Sequence, residues 1–143
     1  MTEENDAIRT LKIHDLRDRA EPPAGARILV DRMWPRGVAK DDVDLTGRLP
    51  QVAPSPGLRK WFGHDPERFA EFTRRYRAEL DERLADADHG GGDDDGAADQ
   101  LRELLDRATA ATAGEPLLLV YGAADREHNH AEVLAGWLRE RIG

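Results

Sequence analysis

Residues 117–121 read Leu-Leu-Leu-Val-Tyr, an unbroken apolar run without the in-out alternation of a strand that has one wet face. A strand of this kind is covered on both sides, the usual condition of parallel sheets clad by helices. A second run, Ile28, Leu29 and Val30, centres a strand expected over Arg27–Arg32, which ends where Met33, Trp34, Pro35, Arg36 and Gly37 break the ladder. Helical patterns separate the two strands in sequence, so they are expected to run parallel, with their C-terminal ends at one edge. The fold class that follows is α/β: a small mixed sheet with parallel central strands flanked by helices, in a single compact domain over residues 1–143.

The other elements are read outward from this pair. Leu11–Leu16 is expected as a half-exposed strand. The turn Asp18–Gly25, with Pro22, Pro23 and Gly25, is too short for a helical crossover, so this strand is expected antiparallel to the next. Residues 39–52 fit either a short edge strand or an ordered loop. Ser55 as cap, Pro56 at the first helical position and Gly63 as terminator define a short helix. Asp65 and Pro66 repeat the start signal for a helix to Ala85, with Phe69, Phe72, Tyr76, Leu80 and Leu84 on one face and the pairs Glu71/Arg75 and Glu79/Arg83 on its wet side. Helices are also expected over Asp99–Ala113 and Glu127–Ile142. Residues 1–8 read as a mobile tail and 88–98 as a mobile acidic Gly/Asp loop, whose aspartates lack the spacing and closing Glu of a calcium loop.

The 143 residues carry a net charge of −8, no cysteine, and lysine only at Lys12, Lys40 and Lys60 against a majority of arginine. The acidic field opposes duplex nucleic acid but leaves room for a local basic pocket that holds one phosphate. No apolar run approaches the roughly 18 residues of a membrane span, and residues 1–7 lack a signal-peptide pattern. The expectation is a cytoplasmic protein that does not engage membranes. Without cysteine, and with the only serine, Ser55, expected to cap a helix, covalent catalysis has no ready nucleophile.

Three strings, ILVDRMWPRGVAK at 28–40, VAPSPGLRKWFGHDPERFAEF at 52–72 and LLLVYGAADREHNHAEVLAGWL at 117–138, resemble the YeaO-like branch of family 488 of the domains of unknown function. The resemblance implies a compact α/β fold and supplies no reaction. No glycine-rich loop follows a strand to receive adenosylmethionine, and no cofactor is expected.

Open α/β sheets bind ligands at the C-terminal edge of their strands. There the first strand delivers Asp31, Arg32, Trp34 and Arg36, and the second delivers Tyr121, Asn129, His128 and His130. Asp31 and His128 are the candidate general acid and base, while Arg32, Trp34, Arg36, Tyr121, Asn129 and His130 are candidate ligand contacts. Asp31 and Arg32 equally suit a role in pinning a loop, Trp34 and Trp61 suit the core, and His64 suits a structural hydrogen bond. On a helix, His128 and His130 point about 200° apart, so they share a metal only if that stretch is extended; no metal is expected. The function classes left are an enzyme acting on a small anionic, phosphate-containing or nucleotide-like substrate by acid-base chemistry, and a non-catalytic module that senses such a ligand.

Overall fold

A computed structural model of the chain describes residues 7–21, 23–88 and 96–142. Four strands form one sheet in the order β1-β4-β2-β3: β1 is Ile8–Lys12, β2 Ala26–Leu29, β3 Gly47–Arg48 and β4 Leu117–Tyr121. Every pairing is parallel. β4 lies between β1 and β2, with Leu117 opposite both Ile8 and Ala26. All five of its residues are buried, as the apolar run requires.

The side chains of the central strands alternate between two cores. On one face Ile28, Val30, Leu117, Leu119 and Tyr121 meet the helices α3 (Phe69–Asp88), α4 (Ala97–Ala110) and α5 (His130–Ile142). On the other, Leu29 and Val120 pack with Ile13 and Leu16 of α1 (Ile13–Arg17) and with Val38, Trp34 and Leu45 from the loop after β2. The remaining helix, α2 (Pro56–Phe62), is delimited as its sequence predicts: the Ser55 hydroxyl accepts from Leu58 N, Pro56 opens it, and Gly63 closes it in the left-handed region. On the α3 face expected to be apolar, Phe72, Tyr76 and Leu80 are fully buried.

The structure corrects the first strand. It spans Ile8–Lys12 instead of Leu11–Leu16, and Ile13–Leu16 belong to α1. It runs parallel to β2, with β4 inserted between them. The expected antiparallel hairpin counted only residues 18–25 as connection. The true connection, residues 13–25, includes a helical turn and meets the minimum of about a dozen residues for a parallel crossover. The open stretch 39–52 resolves into the two-residue edge strand β3 flanked by 3-10 turns at Lys40–Asp42 and Pro50–Val52. Glu79 and Arg83 are not on a wet face: they are half-buried, Glu79 accepting from Ser55 N and Oγ and Arg83 donating to the Ala53 carbonyl. Of the expected tail, Ala7 and Ile8 are buried; of the expected loop, Asp88 ends α3 and Ala97 opens α4. The rest of those two segments, residues 1–6 and 89–95, lies outside the described residues.

Gly25 sets the approach of β2 to β4. Its φ is +101°, and a Cβ there would sit 2.0 Å from the carbonyl oxygen of Pro116, the group that accepts from Ala26 N. Gly25→Ala is expected to destabilise the protein by at least about 1–3 kcal/mol, the cost of a non-glycine residue in such a conformation. Urea unfolding of the variant checks this.

Candidate functional site

The ladder between β2 and β4 runs one residue past β2, with Val30 N donating to Val120 O at 3.0 Å. Beyond that point the two chains part, and the space between them is a cavity of about 430 Å³ at the C-terminal edge of the sheet. Asp31 to Arg36 form one wall. Gly122, Ala123, Asn129 and His130 form another, and Arg59, Phe62, His64 and Phe72 a third.

Asp31 ties the walls together. Its Oδ2 accepts from Gly122 N at 3.0 Å, and its Oδ1 lies 3.1 Å from His130 Nε2. The same Nε2 is 3.1 Å from the Val30 carbonyl. The alignment favours the carbonyl, and Asp31 Oδ1 receives at most a bent share of that proton. A carbonyl only accepts, so Nε2 carries the hydrogen and, in the neutral ring, Nδ1 keeps the lone pair. Gly122 has no room for a side chain: a Cβ would meet the Pro35 ring at 2.7 Å and Asp31 Oδ2 at 3.0 Å.

The turn before α5 is built by two side chains. Asp125 Oδ1 accepts from the backbone N–H groups of Glu127 and His128, and its Oδ2 is 2.9 Å from His128 Nδ1. The backbone donors of His128 and Glu127, helped by the His128 ring, hold the Asp125 carboxyl down to about 2. Asn129, which is 1% exposed, donates to Asp125 O and accepts from Glu132 N, so it caps α5. α5 therefore begins at His130 rather than Glu127. Sequence reasoning paired Asp31 with His128, but the structure pairs it with His130. His128 lies with Asp125 and edge-on to Phe69, with ring centroids 5.1 Å apart, and is not among the cavity walls.

The remaining expected contacts divide. Arg32 lines the cavity, but its guanidinium donates to Gln51 Oε1 at 2.8 Å and to the Pro54 and Ala53 carbonyls at 3.1 and 3.3 Å. Trp34 lines it too, while its Nε1 donates to Val38 O at 2.6 Å and the ring packs on the smaller core. Arg36 is exposed at the cavity. Tyr121 is buried on the larger core, away from the cavity lining, and burial raises its phenol above the ordinary value. The two histidines serve different partners, and among the described residues no group of three or more His, Cys, Asp or Glu gathers to hold a metal. Arg59, His64 and Gly122 line the cavity without a sequence signal that marks them as ligand contacts. The string RKWFGH carries the first two, but nothing in its periodicity turns them towards the end of β2.

Residues 7–87 match a family model described as "Inactive DUF488-N3 subclade". The chain belongs to the DUF488 family. Within it, the chain is similar to the uncharacterized protein YeaO of Escherichia coli, 40% identical over 122 residues that cover 85% of this chain and 90% of that protein. It is likewise similar to the uncharacterized protein Rv3073c of Mycobacterium tuberculosis, 38% identical over 121 residues covering 85% and 86%. No solved structure matches the chain. The DUF488 match takes in the Asp31–Arg36, Arg59 and His64 walls and ends before Gly122 and His130.

Two outcomes follow from this geometry. Arg32→Ala is expected to cost about 1.5–3 kcal/mol of stability, the scale of losing hydrogen bonds from a charged donor, in urea unfolding. The Asp125 carboxyl is lowered in the folded state from an unfolded value of about 3.9. Its contribution is therefore present above about pH 4 and lost as pH falls through about 2. Wild type is expected to be more stable than Asp125→Asn at neutral pH, with the gap closing over that acidic window in pH-dependent melts.

Proposed function

We propose that the chain is a non-catalytic binding module for a small anionic ligand, held in the cavity at the C-terminal edge of β2 and β4. The observation that carries this reading is the local charge. In a chain of net charge −8, the cavity walls hold three arginines, Arg32, Arg36 and Arg59, and one carboxylate, Asp31. Asp31 accepts from Gly122 N through Oδ2 and lies against His130, and it forms no ion pair with Arg36 or Arg59. A concave site of this sign attracts and holds anions. The word "inactive" in the description of the matching family model supports binding over turnover, as does the absence of His128 from the cavity walls. A cytoplasmic setting, with no engagement of membranes or duplex nucleic acid, belongs to the same proposal. Among the described residues no helix is long and apolar enough to cross a membrane.

One observation favours an enzyme instead. His130 is oriented through Nε2 by Val30 O, with Asp31 Oδ1 3.1 Å away, which leaves Nδ1 as an acceptor, the arrangement of a general base held in one tautomer. Turnover of phosphate esters or nucleotides that His130→Gln abolishes would favour this second reading.

Thermal melts in inorganic phosphate at constant ionic strength test the module. The midpoint of the wild type is expected to rise with phosphate. Arg36→Ala is expected to lose most of that rise while its phosphate-free stability stays within about 0.5 kcal/mol of wild type. An absence of phosphate-dependent stabilisation in the wild type contradicts the reading.

A further inference from the structure

We infer that Arg36, Arg59 and His64, at the mouth of the cavity, form a subsite for a dianionic phosphate monoester, with His64 held in a strained backbone conformation to contact it. This rests on the anion-binding reading above and names the charge class of the ligand and the residues that select it.

The three groups come from separate segments. Arg36 follows the break after β2, Arg59 lies on α2, and His64 follows the glycine that ends α2. All three are exposed and line the same cavity. Among the described residues Arg59 has no carboxylate partner, and its guanidinium meets the Met33 sulfur at 4.0 Å. Arg36 makes no hydrogen bond or ion pair with another described residue. A single negative charge would leave one of these guanidinium groups unbalanced, whereas a dianion with three acceptor oxygens satisfies both and leaves an oxygen for an imidazole.

His64 supplies the independent observation. It is the non-glycine residue with positive φ among the described residues, at +59°. Gly63 before it, at +56°, already provides the left-handed helix terminus. Position 64 needs a second left-handed residue so that the chain can turn back, with Asp65 N donating to Phe62 O at 3.0 Å. Glycine or asparagine meets that need with less strain. The imidazole makes no hydrogen bond within the described protein, and its recorded ring contact is Phe62 at 6.2 Å between centroids. Packing and internal bonding therefore do not explain a histidine here, while its place on the cavity wall beside Arg59 does.

Phenyl phosphate and phenyl sulfate separate charge from shape, because they are nearly isosteric and differ by one negative charge at pH 8. Calorimetric titration of the wild type is expected to show phenyl phosphate binding at least about tenfold more tightly than phenyl sulfate. Arg36→Ala, Arg59→Ala and His64→Gly are each expected to weaken phenyl phosphate by roughly tenfold, the scale of one charge-assisted hydrogen bond. His64→Gly is expected to melt at or above the wild-type temperature, since it relieves a strained, exposed residue that makes no hydrogen bond within the described protein. Equal binding of the two probes, or full affinity in His64→Gly, overturns the subsite while leaving anion binding intact. A His64→Gly variant that melts well below wild type makes the imidazole structural and also overturns it. Failure of the wild type to bind either probe or inorganic phosphate overturns both this inference and the reading beneath it.

Discussion

Strand β4 has no free face and no free edge. Water reaches neither side of Leu117–Tyr121, so each backbone N–H and carbonyl there must find its partner in β1 or β2, because a buried unpaired amide costs as much as several favourable contacts return. That constraint fixes two neighbours at once, in parallel register. The ends of β2 and β4 then fall at the same level, and the first residues free of the ladder, Asp31 and Gly122, come within hydrogen-bond distance. The cavity is the gap that opens where the pairing stops. Its depth is set by how closely the backbone at Gly122 can approach Pro35, a distance that tolerates no β-carbon.

Arginine does two kinds of work in this chain, and they look alike in sequence. Arg27 donates to the Asp44, Pro23 and Gly25 carbonyls, Arg83 to Ala53, Arg32 to Ala53 and Pro54, and Arg139 to Ile8. These guanidinium groups satisfy carbonyls in loops and, at Ile8, on the edge strand β1, a task suited to a planar group with five donors. Arg36 and Arg59 stand at the cavity without such duties. Arg32 and Arg36 occur four residues apart in one string, yet one fastens the loop before α2 and the other faces the opening. The difference depends on where Gln51 and Ala53 return in space, which no local pattern encodes.

The sheet was legible where burial dictated composition. Leu117–Tyr121 could be placed because a strand closed on both faces must be apolar throughout, and α2 because a serine cap, a proline and a terminating glycine each act locally. The edge strand β1 was misplaced because Ile13 and Leu16, read as strand residues, face the smaller core from a single helical turn. At the candidate site, the edge and most of its residues were legible, but the histidine that meets Asp31 was not. The start of α5 is set by two side chains, Asp125 accepting from the amides of Glu127 and His128 and Asn129 from that of Glu132, and a shift of the helix start from 127 to 130 changes which imidazole faces the strand ends.

The central strand is also synthesised after the two strands it joins. β1 and β2 are not neighbours, so neither has its principal partner until residues 117–121 emerge, at rates of about 5–20 residues per second on the order of ten seconds after β2. A nascent chain in that interval exposes the edges of two strands that later become interior contacts. Its shielding then falls to α2, α3 and α4, the amphipathic segments made in between. The ribosome thus delivers this sheet as an assembly awaiting its keystone, and its pairing is committed only once residues 117–121 have emerged.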